Sequence, residues 1–264
     1  MIIPLAGAEA PSSAQELQSR IERAGTAQGL KSRAAVTATS WPQIDTLDVD
    51  VSGSSMADAS SFSRGLPDGE SSLSVQRFSL IGRPITFQQL PVFLESRGTS
   101  TLWKVAKMAD GSGALILDQA GDGTLSVEVA RTNLEAFAHA FLAGQAGKHG
   151  VNITETRISF ASRGPRSLSL QADVSAKMML VKATLTVTGD LDLDEALQLR
   201  FSNLKLTGGG MAAGLARGFL QPHFDRLQAR PISLSALTFG GIRLRDAGLT
   251  VNGENLRLDA KFGS

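Results

Sequence analysis

From Ser167 to Met178 polar and apolar residues alternate without a break: Ser, Leu, Ser, Leu, Gln, Ala, Asp, Val, Ser, Ala, Lys, Met. Period two describes a strand with one wet face and one dry face. Globular strands usually run about 5 to 6 residues, so this one is about twice the ordinary length, roughly 40 Å when extended. Its dry face needs a long apolar cover. The alternation returns in Val181, Ala183, Leu185 and Val187 against Lys182, Thr184, Thr186 and Thr188. It returns again in Leu197, Leu199 and Phe201, and in Leu256, Leu258, Ala260 and Phe262. The chain is organised around a long, one-sided antiparallel sheet.

Composition narrows the function classes. With 264 residues, 42% of them apolar, the chain can build a real core as one or two domains. Basic and acidic residues balance at 26 and 25, and no basic run or aromatic-basic interleave occurs, which argues against nucleic acid as a partner. The absence of cysteine removes a disulfide framework, a thiolate metal site and a Cys nucleophile. Met1 to Ala8 is mostly apolar and leads into Ala8-Glu9-Ala10, a small-x-small pattern like a signal-peptidase site. The basic n-region and most of the apolar h-region are missing, so the tail of a signal peptide and an ordinary leader both fit. No run of about 18 apolar residues is present to span a membrane as a helix.

Along the chain, Leu17, Ile21 and Ala24 at helical spacing predict a short amphipathic helix over 14–29, ending at Gly25 or Gly29. Val36 to Val51 reads as extended, and the Ser-rich stretch 52–72 as a loop. Strands are expected on both sides of Gly82-Arg83-Pro84, over 73–81 and 85–95. Asp118 to Gly123, ending in Gly-Asp-Gly, reads as a hairpin turn between 114–117 and 124–130. Thr132-x-x-Glu135 is a capping box opening a helix whose Leu134, Phe137, Ala138, Phe141 and Leu142 make one apolar stripe. A second helix, over 210–229, presents Leu215, Phe219, Phe224 and Leu227, with Pro222 inside the run. Four strands lie between the helices and several short ones follow. That order indicates α+β, with helices packed on one face of an antiparallel sheet.

Local chemistry is sparse. Thr207-Gly-Gly-Gly lacks the Lys-Ser/Thr of a phosphate loop. Asp190-x-Asp192-x-Asp194 has the opening rhythm of a calcium loop, but Glu195 and Phe201 stand where Gly and a bidentate Glu are needed. Gly214-x-x-x-Gly218, beside Arg217 and Pro222, is not a membrane dimer motif. His139, His149 and His223 are scattered, and neither His-Glu-x-x-His nor Gly-x-Ser-x-Gly occurs. No catalytic residue, metal ligand or cofactor site is assigned.

The run Leu73-Ser-Val-Gln-Arg-Phe-Ser-Leu-Ile-Gly, Pro84-Ile-Thr-Phe, Leu90-Pro-Val and Ser126-Val-Glu-Val, followed by the helix over 133–142, resembles the bacterial LmeA-like family. So do the strands over 151–206, Pro231-Ile-Ser-Leu-Ser-Ala-Leu, Gly240-Gly-Ile-Arg-Leu and Leu249-Thr-Val-Asn-Gly. That family is similar to the tubular lipid-binding (TULIP) superfamily. The resemblance implies a long, strongly curved antiparallel sheet wrapped around one or two long amphipathic helices, with an apolar groove for lipid tails. It implies a leader and short helix over 1–30 and a single lipid-binding domain over 31–264. The protein would then be non-catalytic and extracytoplasmic, with a phospholipid as partner and transient contact with a membrane surface.

The residues can be weighed against that expectation. A lipid groove is lined by adaptable apolar side chains. Phe137, Phe141, Phe219, Phe224 and Leu227 on the helices, and Met178, Met179, Leu185, Val187 and Phe201 on the strands, are the candidate lining. The chain holds 12 Phe and no Tyr, so most of its aromatic surface has no polar handle. The competing expectation is a structural or interaction protein in which the same faces close into a fully packed core.

Overall fold

The structure is a computed structural model that describes residues 1–56, 71–109, 111–147, 150–178, 181–209, 221–222, 224–234 and 242–263. It is an α+β fold made mostly of strands, in which an antiparallel sheet curls strongly into a half-barrel. The chain divides into two compact units, and residues 1–30 belong to the first.

The first unit comprises 1–128, 235–246 and 259–264. Its strands are β1 (Ile2–Leu5), β2 (Arg33–Thr37), β3 (Gln43–Asp50), β4 (Ser55–Met56), β5 (Ser71–Phe87), β6 (Leu90–Lys107) and most of β7 (Gly113–Ala130). The sheet order is β13-β14-β7-β6-β5-β3-β2, with β1 paired to β7 and β4 to β5. Here β13 is Leu244–Asn252 and β14 is Asn255–Phe262; residues 247–258 of that hairpin count with the second unit. Helix α1 (Ala14–Ala27) forms as its periodicity predicts, burying Leu17, Ile21 and Ala24. Ser13 accepts from the Glu16 N–H, and Glu16 accepts in turn from the Ser12 N–H and hydroxyl at 2.7 and 2.6 Å. The helix runs through Gly25, where a Cβ would stand 1.7 Å from Ser32 Oγ, so the glycine admits the crossing chain instead of ending the helix.

The expected hairpin turn at Asp118 to Gly123 and the expected break between strands at Gly82-Arg83-Pro84 are both strand interior. β5 passes through Gly82-Arg83-Pro84 with a register shift between Gly82 and Ile85, and the chain reverses at Gln88-Gln89. Both residues have positive φ (45° and 74°), the geometry of a two-residue hairpin that Asn-Gly normally signals. β7 likewise runs unbroken through Gly121-Asp122-Gly123. Gly123 pairs with Gly98 and Asp122 with Thr99, so these glycines serve packing and not reversal. On the dry face, Phe78 lies edge-on to Trp103 at 5.3 Å and stacks on Phe262 at 6.4 Å. Trp103 Nε1–H donates to Thr101 Oγ1, which donates to the Val75 carbonyl, satisfying the buried polar atoms there.

The second unit comprises 129–234 and 247–258. It contains α2 (Arg131–Ala146) and the strands β8 (Asn152–Gly164), β9 (Ser167–Met178), β10 (Val181–Leu193), β11 (Gln198–Gly208) and β12 (Ile232–Ser233). They form an antiparallel sheet in the order β12-β11-β10-β9-β8. The four long strands predicted between the helices are therefore present as a meander. Residues 224–229 are helical. Among the described residues, Leu168 is the second unit's single member of the largest fully buried side chains; the rest, Trp103, Ile44 and Leu117 among them, lie in the first.

Candidate functional site

The dry face of the second unit's sheet is built by register. Leu168, Leu170, Ala172, Val174 and Ala176 of β9 stand opposite Leu191, Gly189, Val187, Leu185 and Ala183 of β10. On β8 the matching positions are Ile153, Thr156, Ile158 and Phe160. On β11 a bulge keeps the phase: the pairing shifts between Thr188 and Asp190, and Asn203 takes the extra position with φ 53°. The amide of Asn203 donates to Asp190 Oδ2 at 2.7 Å and pins the bulge. Leu204 and Leu206 before it and Phe201 beyond it thus all stay on the dry face. Asp190 has its carboxyl held below the usual carboxylate range, first by that Asn203 bond. Asp173, on the wet face, is lowered by the Thr186 hydroxyl and then the Gln171 amide.

This face is closed at both ends and only half covered in its middle. At one end Ile153, Val174, Ala176 and Leu185 form a buried cluster against Leu142, Ala143 and Ala146 of α2. At the other, Leu168, Leu191, Leu193 and Leu197 are buried. Between them Ile158, Phe160, Leu170, Ala172, Val187, Phe201, Leu204 and Leu206 remain partly accessible.

Helix α2 lies along β8, the edge strand of this sheet. Glu135 Oε1 accepts the backbone N–H of Ile158 at 2.9 Å, and His139 Nδ1 meets Thr156 Oγ1 at 3.4 Å. Glu135, His139, Leu142 and Ala146 recur at i, i+4, i+7 and i+11 and so share the strand-facing side. The expected capping box is therefore not made. The helix starts at Arg131 behind Ala130 with no side-chain cap, and Glu135 is spent on the strand edge. The start is held by Glu254 instead, whose carboxylate pairs with the Arg131 guanidinium and whose backbone carbonyl accepts the Arg131 N–H at 2.8 Å. A carboxylate at a helix N-terminus is electrostatically favourable there.

Phe137 and Phe141 stand about 200° from Glu135 and His139 around the helix, pointing away from β8. The apolar stripe read from the sequence divides, with Leu142 packed on the sheet cluster and Phe141 exposed, and α2 has no buried residue. Phe141 is 58% exposed and Leu134, Phe137 and Ala138 are half-buried.

The predicted lining is thus distributed unevenly. Leu185, Val187 and Phe201 share the sheet's dry face, with Leu185 buried at its α2 end. Met178 closes β9 opposite Val181. Phe224 is half-buried and Leu227 is 42% exposed on the helical residues 224–229. Met179 and Phe219 lie outside the described residues, as does most of the helix expected over 210–229. Sequence reasoning misses Ile158, Phe160, Leu170, Leu204 and Leu206. Ile158 and Phe160 are readable as alternation, whereas the bulge hides the common face of Leu204 and Phe201.

The Asp190, Asp192 and Asp194 carboxylates are each engaged locally. Asp190 takes Arg163 at 2.8 Å, Asp192 takes the hydroxyls of Ser167 and Ser202, and Asp194 takes the Gln198 N–H at 2.8 Å.

Fold and face together define an α+β protein of mainly antiparallel sheet, with a partly covered apolar face in its second unit. Neither a protein-family model, nor a curated protein, nor a solved structure matches the chain.

Proposed function

We propose that this chain binds an acyl lipid, a phospholipid foremost, without catalysis, through the second unit. The observation that carries the reading is the half-covered middle of the dry face, from Ile158 and Phe160 to Val187 and Leu206, together with the exposed Phe141 and half-buried Phe137 of α2. Apolar surface left in water costs about 25 cal/mol per Å², and an acyl chain removes it without needing polar partners. The finer arrangement that goes with this reading, a long curved sheet wrapped around amphipathic helices as in the LmeA-like and TULIP proteins, is part of the proposal. So are transient contact with a membrane surface and an extracytoplasmic setting.

The test is native mass spectrometry of protein purified without detergent, with organic extraction of whatever copurifies. Stoichiometric phospholipid, lost in a Phe137→Asp/Phe141→Asp variant that keeps its circular dichroism spectrum, is the expected result. A clean apo mass, unchanged after incubation with mixed liposomes, overturns the reading and leaves a structural protein whose apolar faces serve packing alone.

A further inference from the structure

The first unit carries a cavity of its own, a trough of about 930 Å³ on the wet face of its sheet, crossing β3, β5, β6, β7 and β14. Register sets two rows of side chains along it. Thr46, Arg77, Thr99 and Asp122 face one another across successive strands, as do Asp48, Ser79, Arg97 and Thr124 in the next row. Arg245 and Lys261 line the far end. The floor is the backbone of the Gly98–Gly123 pair, backed from the dry side by the buried rings of Phe78 and Phe262.

Hydroxyl and charged side chains alternate in both directions on this face. Arg97 is held by Glu95, and Arg245 donates to the carbonyls of Gly263 and Gly121 at 2.5 and 3.2 Å. The side chains of Asp48, Arg77, Asp122 and Lys261 make no hydrogen bond or ion pair among the described residues, although opposite charges neighbour one another across the rows. A polyanion needs a field of one sign. Here the cations Arg77, Arg97, Arg245 and Lys261 are interleaved with Asp48, Asp122 and Asp246, so the trough offers no such field.

What uses both kinds of group is a neutral polyhydroxyl chain, in which every hydroxyl both donates and accepts. Strands repeat at about 4.8 Å, close to the length of one sugar ring with its linkage. We propose that this trough binds a neutral linear oligosaccharide laid across the strands, one ring per strand, with Arg77 and Asp122 as its principal contacts. Phe78 and Phe262 border the trough with their rings buried, at 3% and 2% exposure, so affinity rests on hydrogen bonds and falls in the micromolar to millimolar range.

The experiment is a ¹H–¹⁵N NMR titration of the full chain with cellohexaose, maltohexaose, xylohexaose and chitohexaose to millimolar concentration, with a heparin hexasaccharide as the polyanionic control. Fast-exchange shifts confined to residues 46–48, 77–79, 97–99 and 122–124 with at least one neutral sugar are expected. An Arg77→Ala/Asp122→Asn variant, changed only at two exposed side chains, should weaken that sugar about tenfold or more while its remaining spectrum is preserved. Absence of shifts with all four neutral sugars, binding of the heparin fragment alone, or unchanged affinity in the variant overturns the proposal. None of these outcomes bears on the second unit's lipid reading.

Discussion

Gly123 of β7 lies directly beneath the ring of Phe262: a Cβ at that glycine would stand 2.0 Å from Cε2 and 2.3 Å from Cζ. The paired Gly98 has the same relation to Phe78, at 2.2 Å from Cε1. Two phenyl rings that stack on each other thus occupy the space of two missing side chains. Neither glycine has a positive φ, so the requirement is purely steric.

Alanine is ordinarily the better strand residue, so Gly123→Ala would stabilise a strand with open space above it. Here it should destabilise by about 1 to 3 kcal/mol through overpacking. Phe262→Leu in the same chain should recover part of that loss, because the two positions share one volume. Urea unfolding of the two single variants and the double variant checks it; additive losses would refute the shared volume.

Phe141 and Leu185 occupy the same helix-and-sheet unit with opposite exposures, 58% and 7%. Phe141→Asp should change stability by no more than about 0.5 kcal/mol, as an exposed substitution. Leu185→Asp places a carboxylate among Ile153, Val174 and Ala176 and should cost about 3 kcal/mol or more. Thermal unfolding followed by circular dichroism separates the two, and equal losses would mean that Phe141 is core.

The β11 bulge rests on Asn203 in the left-handed region and on its bond to Asp190. Asn203→Gly keeps the backbone and loses only the bond, whereas Asn203→Ala loses both and should cost about 1 to 2 kcal/mol more. In either variant the Asp190 carboxyl should titrate closer to the ordinary Asp value of about 3.9, since the Asn203 amide is the chief cause of its lowering. Side-chain carboxyl NMR reads both effects; an unmoved Asp190 would assign its shift to Arg163 and Lys205 instead.

Glu16 makes stability fall in acid. The Ser12 hydroxyl and N–H, followed by Arg20, lower its pKa from 4.5 to about 2. The unfolded chain therefore binds the extra proton first as pH falls. The stabilisation is present in full above about pH 4.5 and is lost as pH drops toward about 2. Ser12→Ala should raise the Glu16 midpoint, and Glu16→Gln should remove this contribution to acid sensitivity. NMR titration together with acid unfolding measures it, and a Glu16 midpoint near 4.5 in the parent chain would dispose of the claim.

The sequence makes β9, β10 and α1 legible because one face of each meets a single environment along its whole length. Leu17, Ile21 and Ala24 are buried together, and the Ser167–Met178 alternation maps residue for residue onto register. Legibility fails where a residue type has two uses. Glycine in Gly82-Arg83-Pro84 and Gly121-Asp122-Gly123 reads as turn chemistry, yet a glycine in a strand also makes room for a ring, and only the partner strand reveals which. The real reversal at Gln88-Gln89 carries no turn signal. The candidate lipid face is half legible: Leu185, Val187 and Phe201 follow from alternation, but the bulge at Asn203 breaks the count that would join Leu204 to them.

Glu135 carries the last of these conflicts, since its spacing from Thr132 fits a capping box while its carboxylate accepts the Ile158 N–H of the sheet's edge strand. An edge N–H left free is an invitation to pair with another chain. Glu135→Ala should expose it, costing about 1.5 to 3 kcal/mol for a hydrogen bond to a charged group and speeding amide exchange at Ile158 more than at Val174 in the sheet interior. Because Leu142, Ala143 and Ala146 still hold α2 against the buried cluster, the helix itself should persist. Concentration-dependent light scattering should rise in the variant and fall again when Ile158 is replaced by proline, which removes the donor. Unchanged exchange at Ile158 would show that the edge is protected by α2 as a whole and not by this one carboxylate.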